Sequence, residues 1–222
     1  MRTGRLFAAA MLTVAFAPRA GMAQSTFEGT ITYEAGMGGM NMQVTQAVKG
    51  ALIRQEMQGP MGDIVNIVDT ESSMMTTLMP AQKMYMRIDM NAMMKQYSQQ
   101  AEAQPQPKPA DFKATGEKET IAGHACEHYA YNQESNAIDV CIAEGLGFVP
   151  FMAMGAQGMP NGPDVEEWKQ RFPNGFLPLE MTVTAMGQTM TMRASAVERK
   201  SVDAKLFEVP EGYTQMPGPG GN

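Results

Sequence analysis

The stretch that decides the fold is MTVTAMGQTMTMR, residues 181–193. On either side of a turn at Gly187-Gln188, apolar residues occupy every second position, at Met181, Val183, Met190 and Met192. A period of two is typical of a β-strand with one buried face, because successive side chains point to opposite faces of the sheet. A turn this short joins antiparallel neighbours. The stretch therefore predicts an antiparallel hairpin with methionines on one face.

The same alternation recurs earlier in the chain. It places Met84, Met86 and Ile88 on one face of a second strand, and Met42 and Val44 on one face of a third. Short runs of turn residues separate these segments, which again favours antiparallel neighbours. Eleven strands are predicted, at residues 26–34, 40–48, 51–58, 63–69, 74–79, 84–89, 112–121, 124–132, 136–143, 177–186 and 189–199. The predicted fold class is therefore mainly β, a β-rich α+β domain with an antiparallel sheet.

Two segments depart from this pattern and predict helices. Asn91 can cap a helix that continues to Ala103 with its apolar residues on one side. Asp164, followed three residues later by Glu167, has the form of a capping box at the start of a second helix. Before that helix, residues 146–162 are apolar, rich in glycine and interrupted by prolines, which favours a short helix or a flap over the sheet.

The N-terminus has the three parts of a secretory signal peptide, at residues 1–23. A basic start precedes an apolar stretch at residues 6–17, and small residues at 21–23 form a cleavage site. The apolar stretch is too short for a membrane span, which needs about 20 residues. We therefore expect a periplasmic or secreted protein, with a single domain at residues 24–215 and a disordered tail at residues 216–222.

The charge of the chain limits its partners. The formal net charge is −6, and loss of Arg2, Arg5 and Arg19 with the signal peptide would make it about −9. Nucleic acids and anionic membrane surfaces repel an acidic protein. We therefore expect no nucleic-acid partner and no stable membrane anchor, and the sequence predicts no particular oligomeric state.

Cys126 and Cys141 are the only two cysteines, and in an oxidising compartment such a pair is expected to form a disulfide. In the register that we predict, Cys126 faces Cys141 and His128 faces Asp139, on the more polar face of a hairpin. A metal site at His124, Cys126 and His128 is less favoured, because roughly 13 Å of extended chain separates the two histidines. Redox activity is also less favoured, because the chain has no Cys-x-x-Cys motif.

Familiar catalytic motifs are missing from the sequence. It contains no Gly-x-Ser-x-Gly, no His-Glu-x-x-His, no phosphate-binding glycine loop and no calcium-binding loop. We therefore predict a protein that is not an enzyme and has no cofactor.

The 24 methionines of the chain allow three interpretations. They can pack the core, they can line a surface for an apolar ligand because the thioether is flexible and polarizable, or they can bind Cu(I), for which thioethers are suitable soft ligands. The residues predicted for a ligand surface lie on the alternating strand faces: Met42, Val44, Met84, Met86, Ile88, Met181, Val183, Met190 and Met192. The residues predicted for Cu(I) lie in two loop-like clusters: Met37, Met40, Met42, Met152, Met154 and Met159.

Four segments resemble an uncharacterised bacterial family of exported domains: FEGTITYE at 27–34, MPAQKMY at 79–85, IAGHACEHY at 121–129 and LFEVPEGY at 206–213. The predicted shape of that family is similar to that of the periplasmic lipoprotein carrier. The resemblance covers most of residues 26–215. It implies a strongly curved antiparallel sheet that forms a half-barrel, with two or three helices over its open side. The family has no established activity, so the resemblance transfers no functional residue.

The sequence thus favours a soluble periplasmic protein that binds a hydrophobic or lipid-like ligand on the concave, methionine-rich face of its sheet. A methionine-rich Cu(I)-binding protein is the alternative hypothesis, and an exported structural domain without a ligand is the third.

Overall fold

A computed structural model describes residues 26–58, 62–101, 112–133, 136–149, 165–185 and 187–217. Several predictions concern residues outside these ranges. They are the signal peptide, the second cluster of copper-ligand candidates (Met152, Met154 and Met159), the helix cap at Asp164, and nearly all of the apolar flap and of the C-terminal tail.

The described residues form one sheet of twelve strands and two α-helices. The strands are β1 (Gly29–Met37), β2 (Met40–Lys49), β3 (Leu52–Met57), β4 (Ile64–Asp69), β5 (Met74–Met79), β6 (Met84–Asp89), β7 (Lys113–Ile121), β8 (His124–Gln133), β9 (Asn136–Glu144), β10 (Phe176–Ala185), β11 (Gln188–Arg199) and β12 (Thr214–Gln215). The helices are α1 (Met90–Ala101) and α2 (Val165–Arg171). The strand order is β12-β6-β5-β4-β3-β2-β1-β11-β10-β9-β8-β7. The mainly β fold class is therefore confirmed, and β12 is an addition to the eleven predicted strands.

The start of α1 differs from the prediction. The Asp89 carboxylate accepts a hydrogen bond from the backbone N–H of Ala92, at 3.0 Å. Asp89, the residue directly before the helix, therefore caps it, and Asn91 lies inside the helix instead. Both residues suit a cap, and the sequence alone does not rank them.

One end of the sheet curls strongly. Strand β7 lies four places from β11 in the sheet order, which in a flat sheet would separate them by roughly 19 Å. Arg193 of β11 nevertheless donates hydrogen bonds to Glu119 of β7 and to Glu180 of β10. Two register shifts bend the strands at this place. One lies in β10 at Pro178–Glu180, and the other lies in β11 opposite Thr32–Tyr33. The outer strand β7 therefore lies against β11.

The curl encloses a main core. Its members come mainly from the central strands β1 to β4 and from the curled strands β7 to β11, and Phe27, Ile31, Ile53, Cys141 and Leu179 among them are almost completely buried. Burial of these side chains is the main energy that holds the curl.

A second, aromatic cluster fixes α2 on the sheet. Trp168 of this helix and Phe172, the residue directly after it, are buried against Phe112, Tyr129 and Phe176. The rings of Trp168 and Phe112 meet edge to face with centroids 5.4 Å apart, an arrangement that aromatic pairs prefer.

A third cluster attaches the C-terminal segment to the sheet. Phe207 and Tyr213 pack against Ile67 and Leu78. Strand β12 pairs with β6 in parallel, and the backbone N–H of Met216 donates to the Tyr85 carbonyl at 2.7 Å. The segment therefore covers the edge of β6, which would otherwise leave backbone groups unpaired.

The Cys126–Cys141 disulfide is present, with Cα atoms 5.4 Å apart, but the predicted register of its hairpin is wrong. His128, not Cys126, faces Cys141 in the β8–β9 ladder. The turn sets this register, because Gln133 pairs with Asn136 and leaves a two-residue connection. The bond is also not on a polar face, because both cysteines are buried in the main core.

Replacement of Cys126 and Cys141 by alanine tests the stabilising role of the bond. The ring spans 15 residues, so the chain-entropy estimate predicts a free energy of unfolding lower by about 3 kcal/mol. Urea unfolding of the double variant and of the oxidised protein measures this difference. Equal unfolding free energies would show that the bond does not stabilise the curl.

Candidate ligand surface

Six of the nine predicted ligand-surface residues lie together on one face of four adjacent strands, β2, β1, β11 and β10. They are Met42, Val44, Met181, Val183, Met190 and Met192, and we call them the methionine surface. In the ladders, Met192 faces Met181 on one side and Ala35 on the other, and Ala35 faces Met42. Residues that face each other in a ladder have side chains on the same face of the sheet. The small side chain of Ala35 therefore leaves a shallow depression between Met42 and Met192.

The other three predicted residues are separated from this surface. Met84, Met86 and Ile88 lie on β6. Ladder pairs through β5, β4 and β3 place them on the same face as Val44. Four strand spacings nevertheless separate β6 from β2, roughly 19 Å along the sheet. The prediction of a single face is therefore supported for all nine residues, but one small ligand cannot contact them all.

The methionine surface is not a filled core. Met42 is 41% exposed, and Met181, Met190 and Met192 are half-buried. Among the methionines whose side chains the structure describes, only Met90 is buried. Core packing, the first interpretation of the methionine content, therefore accounts for part of the methionine side-chain area only: Met57, Met75, Met181 and Met192 pack against the core clusters with part of each side chain exposed.

The surroundings of the methionine surface are apolar. Met192 packs against the main core and Met181 against the aromatic cluster of α2, so the surface connects these two clusters. Beside Val44 lies Tyr33, whose buried hydroxyl donates a hydrogen bond to the Pro178 carbonyl at 3.2 Å. Burial raises the pKa of Tyr33, because it disfavours the phenolate. Tyr33 therefore remains a neutral donor at physiological pH.

Charged residues near the surface belong to the opposite face. Arg193 and Glu180 face each other in the β10–β11 ladder, one position away from the Met181–Met192 pair. Because side chains alternate along a strand, their ion pair lies on the other side of the sheet. The methionine surface therefore offers van der Waals contacts without a charge.

A row of amides borders the methionine surface on β2 to β4, and the alternation of the sequence does not predict it. Gln46, Gln55 and Asn66 face one another in successive ladders, and Thr77 on β5 donates a hydrogen bond to Asn66 at 2.8 Å. Gln46 is only 7% exposed, and its side chain forms no hydrogen bond with another residue in the described part of the chain. The available signal was its position, because Gln46 stands between Val44 and Val48 on the buried side of β2.

The metal-site predictions have little support in the described ranges. There, no group of three or more histidine, cysteine, aspartate or glutamate side chains could hold a metal ion. His124 lies at the start of β8 and pairs with Ile121, whereas His128 is buried four residues further on. Met37 and Met40, two of the predicted copper ligands, face each other in the β1–β2 ladder.

A polar cluster on the other side of the sheet surrounds His128. Its Nδ1 lies 2.6 Å from Asp139 Oδ1, and its Nε2 lies 3.6 Å from Glu119 Oε2. Burial alone lowers the pKa of His128, but the hydrogen bond and negative charge of Asp139, together with the nearby Glu117 and Glu119, outweigh it and raise this pKa. The hydrogen bond from Arg193 lowers the pKa of Glu119. Within the described residues, no serine, threonine or free cysteine forms a hydrogen bond with the His128 ring.

The family model of a domain of unknown function, DUF4412, matches residues 27–213. The chain belongs to this family. The recognition of an uncharacterised family from the four sequence segments is thereby confirmed. No curated protein matches the DUF4412 chain.

Solved structures similar to the DUF4412 chain share little sequence with it. The crystal structure of an uncharacterised conserved protein from Thermus thermophilus has a TM-score of 0.50 and 11% identity, over 86% of this chain and 90% of that one. This similarity shows a shared fold and nothing further. The structure of PNGF-II in a C2 crystal has a TM-score of 0.44 and 14% identity, over 86% of this chain and 31% of that one. The DUF4412 chain thus spans less than a third of the PNGF-II chain.

None of the described helices of the DUF4412 chain is long and apolar enough to cross a membrane.

The His128–Asp139 pair predicts a pH dependence of stability in the DUF4412 domain. A raised pKa in the folded state means that protonated His128 stabilises the fold below its unfolded value near 6.5 and loses this effect as the pH rises through the folded pKa. Urea unfolding from about pH 6 to about pH 9 should therefore show a larger loss of stability in the wild type than in Asp139→Asn. The exposed Glu144 on the same strand provides the control Glu144→Gln. Parallel pH profiles for wild type and Asp139→Asn would contradict this role of the pair.

Proposed function

We propose that this protein binds a hydrophobic or lipid-like molecule on the methionine surface. The observation that carries the proposal is that six apolar residues form one charge-free surface, of which all but the buried Val44 are half-buried or exposed in the described part of the chain. Contiguous apolar surface is costly to leave in water, and it commonly marks a binding site. The flexible thioethers suit an elongated apolar ligand, because they adapt to irregular shapes.

The compartment and shape of the protein are part of the same proposal. Residues 1–23 act as a signal peptide, and the mature domain is a soluble, non-enzymatic periplasmic protein without a cofactor. The Cys126–Cys141 bond supports export, because such bonds form and persist in oxidising compartments. The curl of the sheet supports a half-barrel.

Gln46 supports a ligand that also has a polar part. The Gln46 amide forms no hydrogen bond with a described residue, so it is available to a ligand hydroxyl, ester or amide. If an uncharged head group of the ligand lies at Gln46, the apolar chain of the ligand can lie along β2 over Val44 and Met42. A head group of this kind fits better than a carboxylate, because neither the methionine surface nor the described amide row provides a cation to pair with it.

Glutamine substitutions at Met181 and Met192 test the ligand surface. Glutamine keeps the length of the side chain but places an amide against the ligand, so the affinity for the fluorescent probe N-phenyl-1-naphthylamine should fall about tenfold. Met84→Gln/Met86→Gln on β6 is the matched control and should bind as the wild type does. Failure of the wild type to bind the probe, or equal losses in both double variants, would overturn the proposed location. Circular dichroism spectra check that each variant is folded.

The variant Gln46→Leu tests the polar part of the ligand separately. Loss of one hydrogen bond should weaken displacement of the probe by monoolein about fivefold, with unchanged affinity for the probe itself. If monoolein displaces the probe equally well from both proteins, Gln46 has no role in binding, although the methionine surface remains in place.

A further inference from the structure

The backbone register brings two methionine-rich hairpins side by side. Met37 at the end of β1 faces Met40 of β2 on one side and Met190 of β11 on the other. The β1–β2 hairpin, with its sequence MGGMNM, therefore lies next to the β10–β11 hairpin, with its sequence MGQTMTM. These two motifs are about 150 residues apart in the chain, so the sequence gives no sign that they meet.

Three half-buried methionines of β10 and β11 meet beside this junction. Met181 and Met192 face each other directly, so their Cβ atoms are about 5 Å apart. Met190 is two residues from Met192 on the same face of β11, roughly 6.6 Å away. Each sulfur lies two bonds beyond Cβ on a flexible side chain, so the three sulfurs can reach one point between β10 and β11. Met42 is two strands from Met192 and three from Met181, too far to join them.

We infer that Met181, Met190 and Met192 form a binding site for Cu(I). Thioethers are neutral, soft ligands, and they favour Cu(I) over Zn²⁺ and over the hard cations Mg²⁺ and Ca²⁺. The surface contributes no carboxylate or imidazole that would bind a harder ion. The acidic charge of the chain attracts a cation towards it.

The site departs from the copper ligands expected from the sequence. It contains none of the six residues expected there. Its three ligands come from β10 and β11, which sequence spacing assigned to a sheet face only. The inference does not depend on the proposed apolar ligand, because it uses the sulfur atoms of the surface and not its apolar area.

Anaerobic titration with Cu(I) against the chelator bathocuproine disulfonate tests the inference. We expect the purified protein to retain one Cu(I) per chain, and Met181→Leu/Met192→Leu to bind it at least tenfold more weakly. Leucine conserves the volume of the side chain, so these variants should fold. If the double variant does not fold, Met190→Leu alone replaces it in the same titration. Met84→Leu/Met86→Leu on β6 is the control and should bind Cu(I) as the wild type does.

Two results would overturn the site. One is a wild-type protein that loses all Cu(I) to the chelator. The other is undiminished binding by folded Met181→Leu/Met192→Leu or Met190→Leu, which would place any copper elsewhere in the chain. Titration of the same proteins with N-phenyl-1-naphthylamine separates these results from a failure of the ligand proposal.

Discussion

The curl that returns the outer strand β7 to β11 is the constraint on which the rest of the structure depends. The contacts of Arg193 with Glu119 and Glu180 mark the place, but they do not supply most of the energy. Arg193 is 45% exposed, and exposed ion pairs contribute little to stability because water and salt screen them. The driving force is the main core, in which residues of β1 to β4 and of β7 to β11 exclude water together. The disulfide lies in that core and restricts the unfolded chain at the same place.

The curl also explains why the methionines remain accessible. Aliphatic and aromatic side chains fill the main core and the cluster under α2, and they leave the strip of sheet between these clusters to Met181 and Met192. A methionine in such a strip has contacts on some sides and open space on others. Its flexible side chain tolerates this arrangement, and the same flexibility suits both an apolar ligand and a soft metal ion. The proposed functions thus depend on the same feature, a strip of sheet that the core does not cover.

Much of the fold follows from local sequence, because strand alternation is a local property. The pattern around Met181 and Met190 correctly predicts β10, β11 and the turn between them, in which Gly187 takes a positive φ of 76°. Nonlocal pairing is different. Nothing in the spacing of residues indicates that β1 lies beside β11. This pairing places Met42 and Met192 on one face, on either side of Ala35.

The errors have the same physical origin. The register of the β8–β9 hairpin was wrong because it assumed that bonded cysteines must face each other, whereas the turn sets the ladder and the disulfide crosses it diagonally. Strand β12 escaped prediction because two residues are too few to show a period. Gln46 escaped because a polar residue in an apolar alternation was assigned to strand geometry and not to chemistry. In each case the deciding partner lies elsewhere in the chain.

Native mass spectrometry of the protein isolated from the cells that make it tests the central claim most directly, because it detects a ligand without presuming its identity. The account predicts a mass above that of the bare polypeptide by one lipid-sized molecule per chain, lost on extraction with organic solvent and absent from Met181→Gln/Met192→Gln. A bare polypeptide mass for the wild type, in protein that also fails to take up N-phenyl-1-naphthylamine, would contradict the account.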